Sequence, residues 1–125
     1  MDPLRLLPAA LISLFFACGS AVAADAALKK VDGILVDAAG RTVYTFDKDA
    51  ANSGKSACSG PCAALWPPVV VGLTQPVVPY SVISRDDGSK QITYQGKPLY
   101  LYASDQKLGD RLGDGFKDIW HVVKE

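Results

Sequence analysis

Apolar and polar positions alternate over short stretches in most of this chain, and one continuous apolar run stands apart at its start. That run extends from Leu6 to Ala17, interrupted only by Pro8 and Ser13, and it follows the basic residue Arg5. The small residues Gly19-Ser20-Ala21-Val22-Ala23-Ala24 close it, before the acid Asp25. A basic start, a short apolar stretch and a small-residue exit form the pattern of a secretory signal, and the stretch is short for a bilayer span. Residues 1–24 are therefore expected to be a signal peptide, with cleavage near Ala23 or Ala24, and residues 25–125 a single domain.

Within that domain the period is two. Tyr44 and Phe46 alternate with Val43 and Thr45, and Tyr100 and Tyr102 alternate with Leu99 and Leu101. Ile34-Leu35-Val36 runs up to Asp37-Ala38-Ala39-Gly40, and Thr42 to Phe46 returns. Gln91-Ile92-Thr93-Tyr94 meets Pro98 to Tyr102 across Gln95-Gly96, where glycine supplies the positive φ of a tight hairpin loop. Val69 to Val71, Tyr80 to Ser84 and Ile119 to Val123 are further strand candidates. Pro61 is placed to open a short helix over Cys62 to Leu65, with Ser59 or Gly60 as its cap and Pro67 ending it.

The two hairpins are copies of one unit. Gly40 to Asp49 aligns with Gly96 to Asp105 at an offset of 56, sharing the order Gly-basic-x-aliphatic-Tyr-x-aromatic-x-x-Asp. Leu65-Trp66 aligns with Ile119-Trp120 at an offset of 54, so both tryptophans occupy equivalent places. The expected fold is mainly all-β: two pseudo-symmetric antiparallel hairpin-based repeats, about 31–75 and 80–125, joined through Pro76 to Pro79. A lone hairpin is marginal in water, so the repeats should share one core, with short helical turns in the connections. The composition agrees. Eleven glycines and eight prolines, and acids that are nearly all Asp, favour turns over helix interiors.

Charge narrows the partners. Without Asp2 and Arg5 the exported chain keeps equal numbers of acids and bases, and its basic residues are scattered. Such a surface lacks the electrostatic footprint that nucleic acid requires. No second run approaches the length of a membrane helix. The three cysteines also divide. Cys18 lies in the signal, leaving Cys58 and Cys62, and an even pair in an exported protein reads most simply as a disulfide. Cys18 itself, after Ala17, could instead carry a lipid anchor, although Phe15 departs from the aliphatic residue usual there and the Ala21-Val22-Ala23 site competes.

The Tyr44 to Asp49 and Tyr100 to Asp105 motifs resemble those of a family of exported bacterial repeats of unknown function, described as predicted lipoproteins with a Yx(F/W/Y)xxD motif. The segments Cys58 to Pro68, Arg85 to Lys90, Gly113 to Phe116 and Ile119 to Val122 are also similar to that family. The resemblance spans nearly the whole exported chain. It implies an envelope or secreted location and a tandem-repeat layout, with no catalytic assignment.

Four groups of residues carry candidate chemistry. Cys58 and Cys62 form a short structural disulfide in the first reading; in the alternative they bind copper(I) or zinc with His121, the single histidine, as third ligand. A redox role is disfavoured by the three-residue spacing and the missing βαβ context. Asp49 and Asp105 sit at equivalent places, which points to a repeated structural task, accepting backbone N–H groups or a tyrosine hydroxyl, rather than to a catalytic carboxylate pair. Tyr44, Phe46, Tyr100 and Tyr102, with Trp66 and Trp120, read as core aromatics. Asp110, Asp114 and Asp118 fit turn capping better than a calcium loop. No nucleophile–histidine–acid set is evident, and no cofactor is expected in the first reading. The sequence therefore points to an exported, non-enzymatic binding or interaction module, with a periplasmic metal or redox protein as the alternative.

Overall fold

A computed structural model describes residues 28–72 and 75–124; the expected signal peptide and Cys18 lie outside the described residues. Seven short strands carry the fold of the described residues: β1 (Lys29–Val31), β2 (Ile34–Val36), β3 (Tyr44–Phe46), β4 (Tyr80–Ser84), β5 (Lys90–Tyr94), β6 (Lys97–Pro98) and β7 (Trp120–Val122). One helix, α1, spans Pro61–Leu65, and a 3-10 turn spans Phe116–Asp118. The architecture is mainly strand and antiparallel, as the alternation implied.

Local chemistry accounts for the turns. Gln95 and Gly96 both take positive φ, 52° and 84°, giving the two-residue loop that matches the twist of β5 and β6. The same geometry recurs at Asp32 and Gly33, φ 53° and 84°, between β1 and β2. The apolar pattern does not mark the β1–β2 hairpin, because Lys29-Lys30 gives β1 no buried face to read; all three of its residues are exposed. At Asp37 a side-chain oxygen accepts the N–H groups of Ala39 and Arg41 and shapes the loop before Thr42. In α1, Pro61 is the first helical residue and Gly60 the cap, with no side-chain capping bond.

The pairing departs from two self-contained hairpins. Val36 bridges Thr42, and the Val43 N–H donates to Leu35 O, so the first hairpin is only a few residues deep. The chain then leaves it, and β3 pairs with β7 of the other repeat: Tyr44 with Val122, Thr45 with His121, Phe46 with Trp120. In the second repeat β4, β5 and β6 form a three-stranded sheet, and Val70 of the first repeat bridges Gln91 on β5. Ile34 bridges Lys124 in the same way. Leu35 N–H donates to Val123 O, and Ile92 N–H donates to Val69 O. Each repeat thus lends its final strand segment to the hairpin of the other. Tyr44 and Tyr100 exchange backbone bonds, N–H to O, at 2.8 and 2.9 Å, and mark the centre of the exchange.

Alternation along these strands fills both faces. One cluster joins Leu35, Val43 and Val69 to Ile92, Leu99 and Val123, three equivalent pairs from the two repeats. The other is aromatic and contains Tyr44, Phe46, Trp66, Tyr100 and Trp120, with Cys58 and Val122. Each cluster draws on both repeats, so the core is shared. A lone two-stranded hairpin is marginal in water, and here each is covered by residues of the other repeat.

Candidate functional site

The motif residues converge at the junction of the repeats. The Tyr44 hydroxyl donates to Asp105 Oδ2 at 2.6 Å, and the Tyr100 hydroxyl donates to Asp49 Oδ2 at 2.6 Å. The tyrosine of each copy therefore binds the aspartate of the other. The second oxygen of each carboxylate accepts a backbone N–H, from Ala57 at Asp49 and from Leu112 at Asp105. Those amides belong to the two long loops, so each aspartate ties a loop to a strand.

Burial raises both tyrosine hydroxyls well above their ordinary range, and the hydrogen bonds to Asp105 and Asp49 add to it. Both stay protonated, as donors must. Burial likewise pushes the Asp49 carboxyl upward, opposed by the bonds from Tyr100 and Ala57 and by the Arg85 charge.

Beside these pairs runs a column of rings. Phe46 stacks on Trp120 at 4.1 Å, Trp120 on Trp66 at 3.7 Å, and Trp66 on Tyr102 at 4.0 Å. Tyr44 meets Trp66 edge-on at 5.3 Å and Tyr100 meets Trp120 edge-on at 5.2 Å. The four-ring column is symmetric about the gap between the tryptophans, since Phe46 and Tyr102 are equivalent positions. Gly113 lets it close: a Cβ there would lie 2.5 Å from the tip of the Trp66 ring.

Cys58 and Cys62 form a disulfide, with Cys58 buried. His121 lies on β7, where Nε2 is 2.8 Å from Asp47 Oδ2 across the β3 pairing, with both side chains half-exposed. The structure does not bring Cys58, Cys62 and His121 together as ligands: among the described residues no group of three or more His, Cys, Asp or Glu side chains is placed to hold a metal ion. Copper or zinc at these three would require opening the disulfide and breaking the His121–Asp47 pair. Asp110 accepts the N–H groups of Gln106 and Lys107, which hold its carboxyl below the ordinary range, and Asp114 accepts the Val122 N–H.

Three polar residues, Arg85, Gln91 and Ser56, have a role that the sequence does not assign. The Arg85 guanidinium, half-buried, donates from Nη1 to Ser56 Oγ at 3.0 Å and to Gln91 Oε1 at 2.7 Å, and from Nη2 to Cys58 O. Gln91, fully buried, donates in turn to Leu99 O. Ser56 Oγ lies 2.6 Å from the Tyr100 hydroxyl, which links the set to Asp49. A glutamine amid the apolar positions of β5 was the readable sign. Nothing local identified Arg85 as its partner, six residues upstream across a turn.

This arrangement defines a β-repeat protein whose motif side chains bind one repeat to the other. A family described as a secreted repeat of unknown function matches residues 26–70 and 81–124, and the chain belongs to that family as two tandem copies. No curated protein and no solved structure shows a significant match to it. No helix among the described residues is long and apolar enough to cross a membrane.

Proposed function

We propose that this chain is a non-enzymatic binding or interaction module of the bacterial cell envelope, exported and released after cleavage near Ala23 or Ala24 rather than tethered through Cys18. One observation carries the reading. The chemistry-bearing motif groups are engaged with one another, both Tyr–Asp pairs and both tryptophans across the repeats and the two cysteines as a disulfide within the first. Groups saturated in this way build a rigid scaffold, and a scaffold of this kind presents loops. The loops it presents here are 50–60 and 85–89, which meet at a polar cleft.

The test is an NMR titration of the ¹⁵N-labelled oxidised protein with solubilised envelope fractions, alongside a search for chemical change in the added material. Saturable shifts confined to one surface, with the added material recovered unchanged, support the module. Turnover of the material, or stoichiometric metal uptake by the oxidised protein, would replace it with an enzymatic or metal-handling role. Intact mass of the protein from membrane and soluble fractions checks its release: a diacylglycerol increment at Cys18 would contradict it.

A further inference from the structure

A cleft lies between each hairpin and the long loop of the other repeat, and the two clefts are lined differently. At the first hairpin the cleft is mainly apolar, with Val31, Ile34, Val36 and Leu108 beside Lys29, Asp32 and Arg111. At the second, a cleft of about 390 Å³ is polar and lined by Lys55, Ser56, Ser59, Ser84, Arg85 and Asp86. The pairing identifies the decisive substitution. Ile34 bridges Lys124 just as Gln91 bridges Val70, so the buried Gln91 stands where its twin is isoleucine. The fold accepts an apolar residue there. A buried amide is tolerated only with its hydrogen bonds made, and one of them is made to Arg85. The twin tyrosine, Tyr44, is served instead by the backbone N–H of Gly113, with no arginine. Gln91, Ser56 and Arg85 are thus an addition to one side of a symmetric frame.

Their effect is to fix a guanidinium. Both Nη1 hydrogens and one Nη2 hydrogen are engaged by Ser56, Gln91 and Cys58 O. Among the described residues, Nε–H and the second Nη2 hydrogen have no acceptor. A planar fork with two free donors matches a carboxylate or phosphate oxygen pair. Ser59 and Ser84 line the same cleft as further donors, whereas the single Ser56 hydroxyl hydrogen is already engaged by the Tyr100 hydroxyl or Cys58 O. Asp86 lines it too and Asp87 lies in the adjoining hollow, so Arg85 and Lys55 are balanced in charge. Selection then rests on fork geometry more than on net attraction.

We propose that this cleft binds an oxyanion group, carboxylate or phosphate monoester, carried by the ligand of the module, with Arg85 as the anchoring residue and Gln91 and Ser56 as the positioning residues. The inference rests on the binding-module reading and names its ligand class.

The experiment titrates the full oxidised protein with acetate and, separately, with methyl phosphate at constant ionic strength, following the Arg85 Nε–H resonance and the amides of loop 54–59. Saturable shifts centred on Arg85 are expected, and the tighter of the two probes identifies the group. Arg85→Lys, which keeps the charge and removes the fork, should weaken binding roughly tenfold or more. Should that variant fail to fold, Lys55→Gln and Ser59→Ala, both at exposed positions, should each weaken binding severalfold. Linear shifts spread over scattered lysines, or saturable shifts indifferent to these variants, would overturn the proposal. A neutral envelope fragment that binds elsewhere, with no anion effect at Arg85, would sink this inference alone and leave the module reading standing.

Discussion

At the scale of the residue, the two Tyr–Asp pairs are chemically alike but differently housed. Asp49 is buried, whereas Asp105 is partly open to solvent. Removing a hydroxyl leaves a carboxylate oxygen without its donor, and water can replace the donor only where it has access. Tyr100→Phe is therefore expected to lower unfolding stability by about 1–3 kcal/mol, and Tyr44→Phe by less, compared from urea midpoints. The pH dependence of Asp49 follows from the upward push of burial on its carboxyl. The folded state holds that proton more tightly than the unfolded chain. Its contribution is thus complete below the ordinary carboxylate range and is lost as pH rises through the folded value. Asp49→Asn, which cannot titrate, should trail the wild type by more at about pH 3 than at about pH 7, in paired urea titrations. Equivalence within the repeat made Asp49 and Asp105 readable in the sequence as structural carboxylates. That each would bind the tyrosine of the other copy was not readable, because a motif fixes positions along the chain and not the route of the strands.

At the scale of the element, strand existence was more legible than strand partnership. The candidates Thr42 to Phe46, Tyr80 to Ser84 and Ile119 to Val123 each contain a strand that is present, at Tyr44–Phe46, Tyr80–Ser84 and Trp120–Val122. The alternation could not show that Tyr44–Phe46 leaves its own hairpin for β7, since a period of two marks which face is buried and not the neighbour. Lys29–Val31 was illegible for the opposite reason, having no buried face. Two elements invite direct tests. Gly113→Ala would drive a Cβ into Trp66, and overpacking of this kind costs about 1–3 kcal/mol; the largest NMR shifts should fall on the Trp66 and Tyr102 rings. The disulfide closes a loop with a sequence separation of only 4. Chain-entropy arithmetic gives ~2 kcal/mol for so short a loop. The Cys58→Ser/Cys62→Ser double variant should therefore fold, with stability reduced by about that amount and with hydrogen exchange accelerated mainly in residues 56–66.

At the scale of the whole molecule, exchange of the terminal segments explains how two units of modest size make one stable body. A repeat that kept its own final strand would leave an open sheet edge and half an aromatic column. Here the column, the Tyr–Asp pairs and both core clusters are completed only when the copies interlock. The duplication was visible in the sequence; the interlock is a property of three-dimensional pairing. It implies that neither repeat opens without the other. Native-state hydrogen exchange tests this most directly, read at the amides of Leu35 and Tyr44 in the first repeat and Ile92 and Tyr100 in the second, whose bonds cross between repeats. All four should exchange through a single opening whose free energy equals that of global unfolding. A distinctly lower opening free energy for one repeat's pair than for the other's would contradict the interlock.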